Sequence, residues 1–198
     1  FTYDSYDKLL FSADAFGTFG GYTGNLFADE CPYEKRYLDE ARRYYSNIVG
    51  KYGAQTKAAL KKLENTEIKM ICPLHGPILR DREKDLMLEK YALWSTYQPE
   101  EKGVVIAYAS MYGNTESAVH LLGTLLAENG VEDIQIYDVS KTHFSYIIAE
   151  VFRCSHLVLA SPTYNMKVYG GMETLLRDMV ALNVQNRDVA LIGNGSWA

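Results

Sequence analysis

The chain alternates short apolar runs with longer stretches in which apolar residues recur every three or four positions. Val104–Ala109 is a continuous apolar run, the pattern of a strand covered on both faces. A helix is predicted over 115–128, with Ala118, Val119, Leu122, Leu125 and Leu126 on one face and Gly130 as its stop. A strand over 133–139, a short helix near 145–152, a strand over 156–160, a helix over 170–182 and a fourth strand over 189–192 follow. Strands separated by helical crossovers imply a parallel, doubly wound sheet, whose ligands sit beyond the carboxyl ends of the strands.

The first hundred residues read differently. Residues 8–17 form a strand that delivers one carboxylate, Asp14, into a glycine-rich loop with Gly17, Gly20 and Gly21. An amphipathic helix over 33–49 carries Tyr37, Ala41, Tyr44, Tyr45 and Ile48 at helical spacing, and a second helix covers 54–63. A short strand over 67–71 runs into Cys72-Pro73-Leu74-His75-Gly76-Pro77, where two prolines stiffen the loop that presents His75. A helical pattern ends near Trp94, and the polar stretch 96–103 marks a boundary between domains at 1–98 and 103–198. Charge shifts across it: residues 1–100 hold 14 basic and 15 acidic side chains, residues 101–198 hold 6 and 10, so the second half carries most of the net charge of −5.

Candidate chemistry begins directly after the first buried-strand pattern, at Ser110-Met111-Tyr112-Gly113-Asn114-Thr115-Glu116-Ser117. A strand, a hydroxyl-rich turn and a helix start make a phosphate cradle, because unpaired N–H groups and the positive dipole end favour an anion without any lysine. The turn has neither a Gly-Lys-Ser/Thr ending nor G-x-G-x-x-G, which leaves a mononucleotide as the natural guest. Two further strand ends open the same crevice, through Ser161-Pro162-Thr163-Tyr164-Asn165 and through Gly193-Asn194-Gly195-Ser196-Trp197.

From about Gly103 to Ala198 these residues resemble the flavodoxin module, with SMYGNTES and SPTYN as the specific parts. The resemblance implies flavin mononucleotide (FMN) as cofactor. Its phosphate ligands would be Ser110, Tyr112, Asn114 and Thr115, in a loop that also holds Met111 and Gly113. Pro162, Thr163, Tyr164 and Asn165 would stand at the flavin ring, with Gly195 and Trp197 of the less typical third loop as further ring contacts.

The strings LLFSADAFGTFG and ICPLHGPI look like the carboxyl-side half of a metallo-β-lactamase-type domain, and together with the flavodoxin-like part they resemble the flavodiiron proteins. The fold class implied is α/β, a partial metallo-β-lactamase-like αββα module followed by a flavodoxin-like doubly wound parallel sheet lacking its last strand. The resemblance makes Asp14 the carboxylate bridging two irons and His75 the last histidine ligand. Oxygen donors with imidazole suit redox iron, and a metal pair can share a diatomic substrate. The implied activity is reduction of dioxygen to water or of nitric oxide to nitrous oxide, with electrons relayed through FMN. A rubredoxin-like protein or a flavin reductase would donate them, and a head-to-tail homodimer or tetramer would carry them between subunits.

The family's His-x-Glu-x-Asp-His stretch is absent, residue 1 is Phe, and the fourth strand is followed by no closing strand or helix. The sequence therefore reads as a fragment with an incomplete diiron site, inactive alone. Cys72 reads as a buried thiol, His120 and His143 as surface residues, and His156 as structural. Three unpaired cysteines, no long apolar window and an acidic pI near 5.4 point to a cytoplasmic protein with neither nucleic acid nor membrane as partner. Two other readings stay open: an FMN electron carrier without metal catalysis, and a metal-dependent hydrolase fused to a flavodoxin module.

Overall fold

A computed structural model describes residues 1–21 and 24–195, which divide into two compact units, Phe1–Tyr97 and Gln98–Ala198. In the first unit, strands β1 (Thr2–Asp4), β2 (Leu9–Ala13), β3 (Met70–Pro73) and β4 (Leu79–Arg80) form one mixed sheet in the order β1-β2-β3-β4. The β2–β3 pair is parallel, with Leu10 opposite Ile71 and Phe11 opposite Cys72, while both outer pairs are antiparallel. Alternation along β2 buries Leu10 and Ser12 and leaves Phe11 exposed. Cys72 is half-buried rather than buried, because the strand pleat puts it on the same side as Phe11, its neighbour across the pair.

Helices α1 (Tyr33–Tyr44), α2 (Gly53–Leu63) and α3 (Asp81–Ser95) complete this unit. The single helix expected over 33–49 ends at Tyr44 and passes into a π-helical turn, Tyr45–Val49. A π turn holds one more residue than an α turn and advances the helix phase, so Ile48, expected on the buried face, is exposed. Tyr45 stays fully buried, its ring 4.8 Å from that of Tyr91 and 5.1 Å from that of Trp94. Tyr33, Tyr37, Tyr44 and Tyr45 are buried within the unit, whereas Tyr52 is exposed.

In the second unit, β5 (Glu101–Tyr108), β6 (Ile134–Asp138), β7 (Cys154–Tyr164) and β9 (Asp188–Asn194) form a parallel sheet in the order β6-β5-β7-β9. A short strand β8 (Lys167–Val168), which the sequence pattern did not announce, folds back on β7 as an antiparallel hairpin. The doubly wound α/β architecture expected is present. Helix α4 (Asn114–Glu128) packs on β5, β6 and β7, α5 (Phe144–Arg153) packs on β5 and β7, and α6 (Gly170–Ala181) links β8 to β9.

The face under α4 is built from Val104, Ile106, Tyr108, Val158 and Ala160 against Val119, with Leu122, Leu126 and Ile136 at its margin. Leu125 and Ala118, expected on that face, are exposed. Both lie about 100–120° around the helix from Val119, whereas Leu122, Gly123 and Leu126 fall within about 60° of it. Gly123 lies close against Ile136, where a Cβ would stand 2.9 Å from Ile136 Cδ1, so a glycine here lets the Leu122–Leu126 side of the helix seat on the sheet. No helix among the described residues is long and apolar enough to cross a membrane.

At the opposite end of the sheet from the loops that follow β5, β7 and β9, Arg153 gathers the carboxylates of Asp133, Glu150 and Glu101, reaching Asp133 Oδ2 at 2.6 Å and Glu150 Oε2 at 2.6 Å. The guanidinium hydrogen bond holds the Asp133 carboxyl below its ordinary range, against the opposing effect of burial. A depressed folded-state value means stability that is present above the unfolded pKa of about 3.9 and lost as pH falls through the folded value. Asp133→Asn is expected to lower the unfolding free energy at pH 7 by about 1–3 kcal/mol. It should also flatten the acid limb of stability below about pH 4, both read from denaturant titrations across pH.

Candidate functional site

Parallel pairing carries three strand ends of the second unit to one side, and their loops meet there. β5 ends at Tyr108, and Gly113, in a left-handed conformation with φ 84°, caps α4. That conformation costs a β-carbon-bearing residue about 1–2 kcal/mol, which is why glycine suits the turn. Gly113 N–H donates to Ser110 Oγ at 3.1 Å, and Ser117 N–H donates to the Gly113 carbonyl at 2.8 Å. The first-turn N–H groups of Asn114, Thr115 and Glu116 have no acceptor within the helix. Glu116, the one acid in that turn, accepts from Tyr108 Oη at 3.0 Å. Burial first, then this bond, push the Tyr108 phenol up to about 12, so it remains an O–H donor at neutral pH.

A hollow of about 190 Å³ lies over this turn. It is lined by Ser110, Met111, Tyr112, Asn114 and Thr115 from the first loop, Pro162 and Thr163 from the second, and Asn194 and Gly195 from the third. Its size suits a phosphate-sized group, and its lining holds no charged side chain. The structure thus brings together seven of the residues picked out from the two longer loops and Gly195 from the third. Gly113 shapes the turn without lining the hollow. Tyr164 and Asn165 stand outside it on the β7–β8 hairpin, where Asn165 and Met166 take φ of 50° and 60°, and the Tyr164 ring is 59% exposed. Trp197 lies outside the described residues. Asn194, which composition did not mark, donates from Nδ2 to Thr115 Oγ1 at 3.0 Å across 79 residues of sequence. The only signal for it was its place at the end of the fourth strand.

In the first unit, Asp14 follows β2 and His75 follows β3. Because these strands are parallel neighbours, both side chains emerge at the same sheet end, with His75 Nε2 3.4 Å from Asp14 Oδ1. Both are more than half exposed. The Asp14 loop is strained, since Ala13 and Phe16 on either side of it adopt φ of 54° and 65°. It is held by Ser12 Oγ–H donating to the Ala15 carbonyl at 2.7 Å, by Leu74 N–H donating to the Ala13 carbonyl at 2.9 Å, and by Phe16 N–H donating to Tyr91 Oη at 2.6 Å. Tyr91 is 1% exposed and its ring lies 4.3 Å from that of Phe16.

The His75 loop closes tightly on the Asp14 loop. Thr18 N–H donates to the His75 carbonyl at 3.2 Å, and at Gly76, with φ +92°, a Cβ would stand 2.3 Å from Thr18 Cγ2. The Tyr44 ring lies 5.6 Å from the imidazole. Burial, then the Asp14 carboxylate, raise the Tyr44 phenol, so it faces the pair as a neutral O–H.

A metal ion would meet one carboxylate and one imidazole here, a donor pair suited to iron. The described residues contain no group of three or more His, Cys, Asp or Glu placed to hold a metal ion, so this pair by itself would not close a coordination sphere. His120 and His143 are exposed, and His143 caps α5 by accepting from Ser145 N–H at 3.2 Å. His156 is exposed on β7, with Nε2 3.6 Å from Asp188 Oδ2 of the adjacent strand.

No family model matches the chain. It is 30% identical to an uncharacterized protein of Methanocaldococcus jannaschii, with 99% of this chain and 48% of that protein covered. It is 29% identical to a rubredoxin-oxygen oxidoreductase of Megalodesulfovibrio gigas, over 97% of this chain and 48% of the relative. An anaerobic nitric oxide reductase flavorubredoxin of Aeromonas salmonicida is 28% identical over 99% of this chain and 37% of its own length. Among solved structures, the flavodiiron protein from Giardia intestinalis superposes with a TM-score of 0.91 at 27% identity, over 99% of this chain and 47% of that one. The chain spans about half the length of the curated relatives it matches.

Tyr91→Phe keeps the ring packing but leaves the buried Phe16 N–H without its acceptor. The expected cost is about 1–3 kcal/mol of unfolding free energy, read by chemical denaturation. Faster amide exchange at Phe16 should accompany it. A variant as stable and as protected as the parent would show that Tyr91 does not hold the loop.

Proposed function

We propose that this chain, whose relatives include a flavorubredoxin, a rubredoxin-oxygen oxidoreductase and a flavodiiron protein, is part of an FMN- and iron-dependent oxidoreductase that reduces dioxygen or nitric oxide. The observation that carries the reading is the uncharged hollow at the N-terminus of α4, where free backbone N–H groups and the Ser110 and Thr115 hydroxyls converge with Pro162, Thr163 and Gly195. That donor set fits a phosphate monoester held by dipole and hydrogen bonds alone. When bound, a flavin supplies electron transfer and an iron pair supplies binding and reduction of a diatomic gas.

The chain's own residues bind and orient. Ser110, Asn114 and Thr115 hold the phosphate, and Gly113 lets the turn approach it. Pro162 and Thr163 line the same hollow and would stand at the flavin ring, with Tyr164 and Asn165 on the adjoining hairpin. Asp14 and His75 offer their carboxylate and imidazole from one sheet end as part of a metal-ligand set completed by donors outside this sequence. The names of the relatives support redox chemistry over hydrolysis. A rubredoxin-type protein or flavin reductase serves as electron donor, and a head-to-tail oligomer brings the flavin of one subunit to the metal site of another.

The test is flavin and metal loading of the intact protein. It is expected to be yellow as purified and to consume dioxygen or nitric oxide when given a reductant. Ser110→Ala and Thr115→Val should each weaken FMN binding about tenfold, whereas Asp14→Asn and His75→Ala should lower iron content and leave FMN affinity unchanged. FMN affinity indifferent to both hydroxyl substitutions would remove the reading.

A further inference from the structure

Thr115 is 1% exposed and lines the hollow, yet its hydroxyl is wired differently from those of Thr124 and Thr174. Thr124 and Thr174 each donate their hydroxyl proton to the carbonyl four residues back, His120 at 3.1 Å and Gly170 at 3.0 Å. Four residues before Thr115 lies Met111, in the loop and not the helix. Among the described residues the Thr115 proton has no acceptor, and its oxygen instead accepts from Asn194 Nδ2. A hydroxyl has one proton and two lone pairs, so an oxygen already accepting from a half-buried amide presents its proton to whatever fills the space beside it. Ser110 follows the same logic: its Oγ accepts the Gly113 N–H, which leaves its own proton for a guest.

We infer that Asn194 is a positioning residue for the phosphate site: its side-chain amide, donating to Thr115 Oγ1, holds that hydroxyl as a hydrogen-bond donor directed into the hollow. The inference rests on the phosphate-binding reading of the turn. Its physical content is that Asn194, at the rim of the same hollow, acts through Thr115 by setting the polarity of that hydroxyl. With its amide replaced by a carboxylate, the bond reverses. The Thr115 proton turns to the new acceptor, the hydroxyl shows only lone pairs to the phosphate, and a negative charge enters an uncharged lining.

FMN and riboflavin, which differ by the phosphate, are titrated against the parent chain, Asn194→Asp and Asn194→Ala by flavin fluorescence. Asn194→Asp is expected to weaken FMN about ten- to a hundredfold and Asn194→Ala about three- to tenfold, with riboflavin affinity unchanged in both. In a Thr115→Val background, Asn194→Ala should have no further effect on FMN, because the hydroxyl it orients is gone. Equal losses for both flavins, or additive effects of the two substitutions, would overturn the inference while leaving the phosphate reading in place. A parent chain that binds FMN no more tightly than riboflavin would overturn that reading, and the inference with it.

Discussion

Parallel strand pairing is the constraint on which the rest of the molecule depends. Two parallel neighbours end on the same side of a sheet, so residues that follow them meet however far apart they lie in sequence. In the first unit the β2–β3 register aligns Phe11 with Cys72 and delivers Asp14 and His75 to one edge. In the second unit β5, β7 and β9 run side by side and carry three loops to one hollow. The hydrogen bonds that fix these registers are backbone bonds, independent of side-chain identity, which leaves the loop residues free to serve chemistry.

The two places differ in how they handle charge. The hollow over α4 is lined without charge and relies on fixed dipoles: N–H groups at a helix start, two hydroxyls whose oxygens each already accept a bond, and a nearby acid, Glu116, engaged by Tyr108. Such a lining needs no counter-ion and reorganises little when an anion enters. At the Asp14–His75 edge the polar groups are exposed, and order comes from beneath. The buried Tyr45–Tyr91–Trp94 cluster anchors the loop through Tyr91, whose hydroxyl fixes the Phe16 N–H and so stabilises two left-handed residues that would otherwise relax.

Local sequence foretold the elements well where periodicity was unambiguous. It failed where tertiary contacts chose between near-equivalent faces. Leu125 and Leu122 are equally apolar, and nothing in the helix itself says which faces the sheet; the observed face is the one that places Gly123 against Ile136. Ile48 has helical spacing with Ala41 and Tyr45, but a π turn that seats Tyr45 in the aromatic cluster moves it outward. Strands as short as β1, β4 and β8 carry too few residues for a period to register, and they exist because a neighbouring strand offers its edge.

What the sequence determined by itself was the chemistry on offer: a hydroxyl-rich turn between a buried strand and a helix, a Pro-Thr-Tyr-Asn loop two strands later, a carboxylate in a glycine-rich loop and an imidazole between two prolines. These are local patterns, legible because turn and cap geometry demand particular residue types. Which of them meet was decided by tertiary structure, through strand order and register, which no local pattern encodes. Asn194 marks the difference most clearly. An asparagine in a glycine-rich strand end says nothing alone, and only the β7–β9 pairing sets its amide against a threonine 79 residues earlier and so gives that hydroxyl a direction.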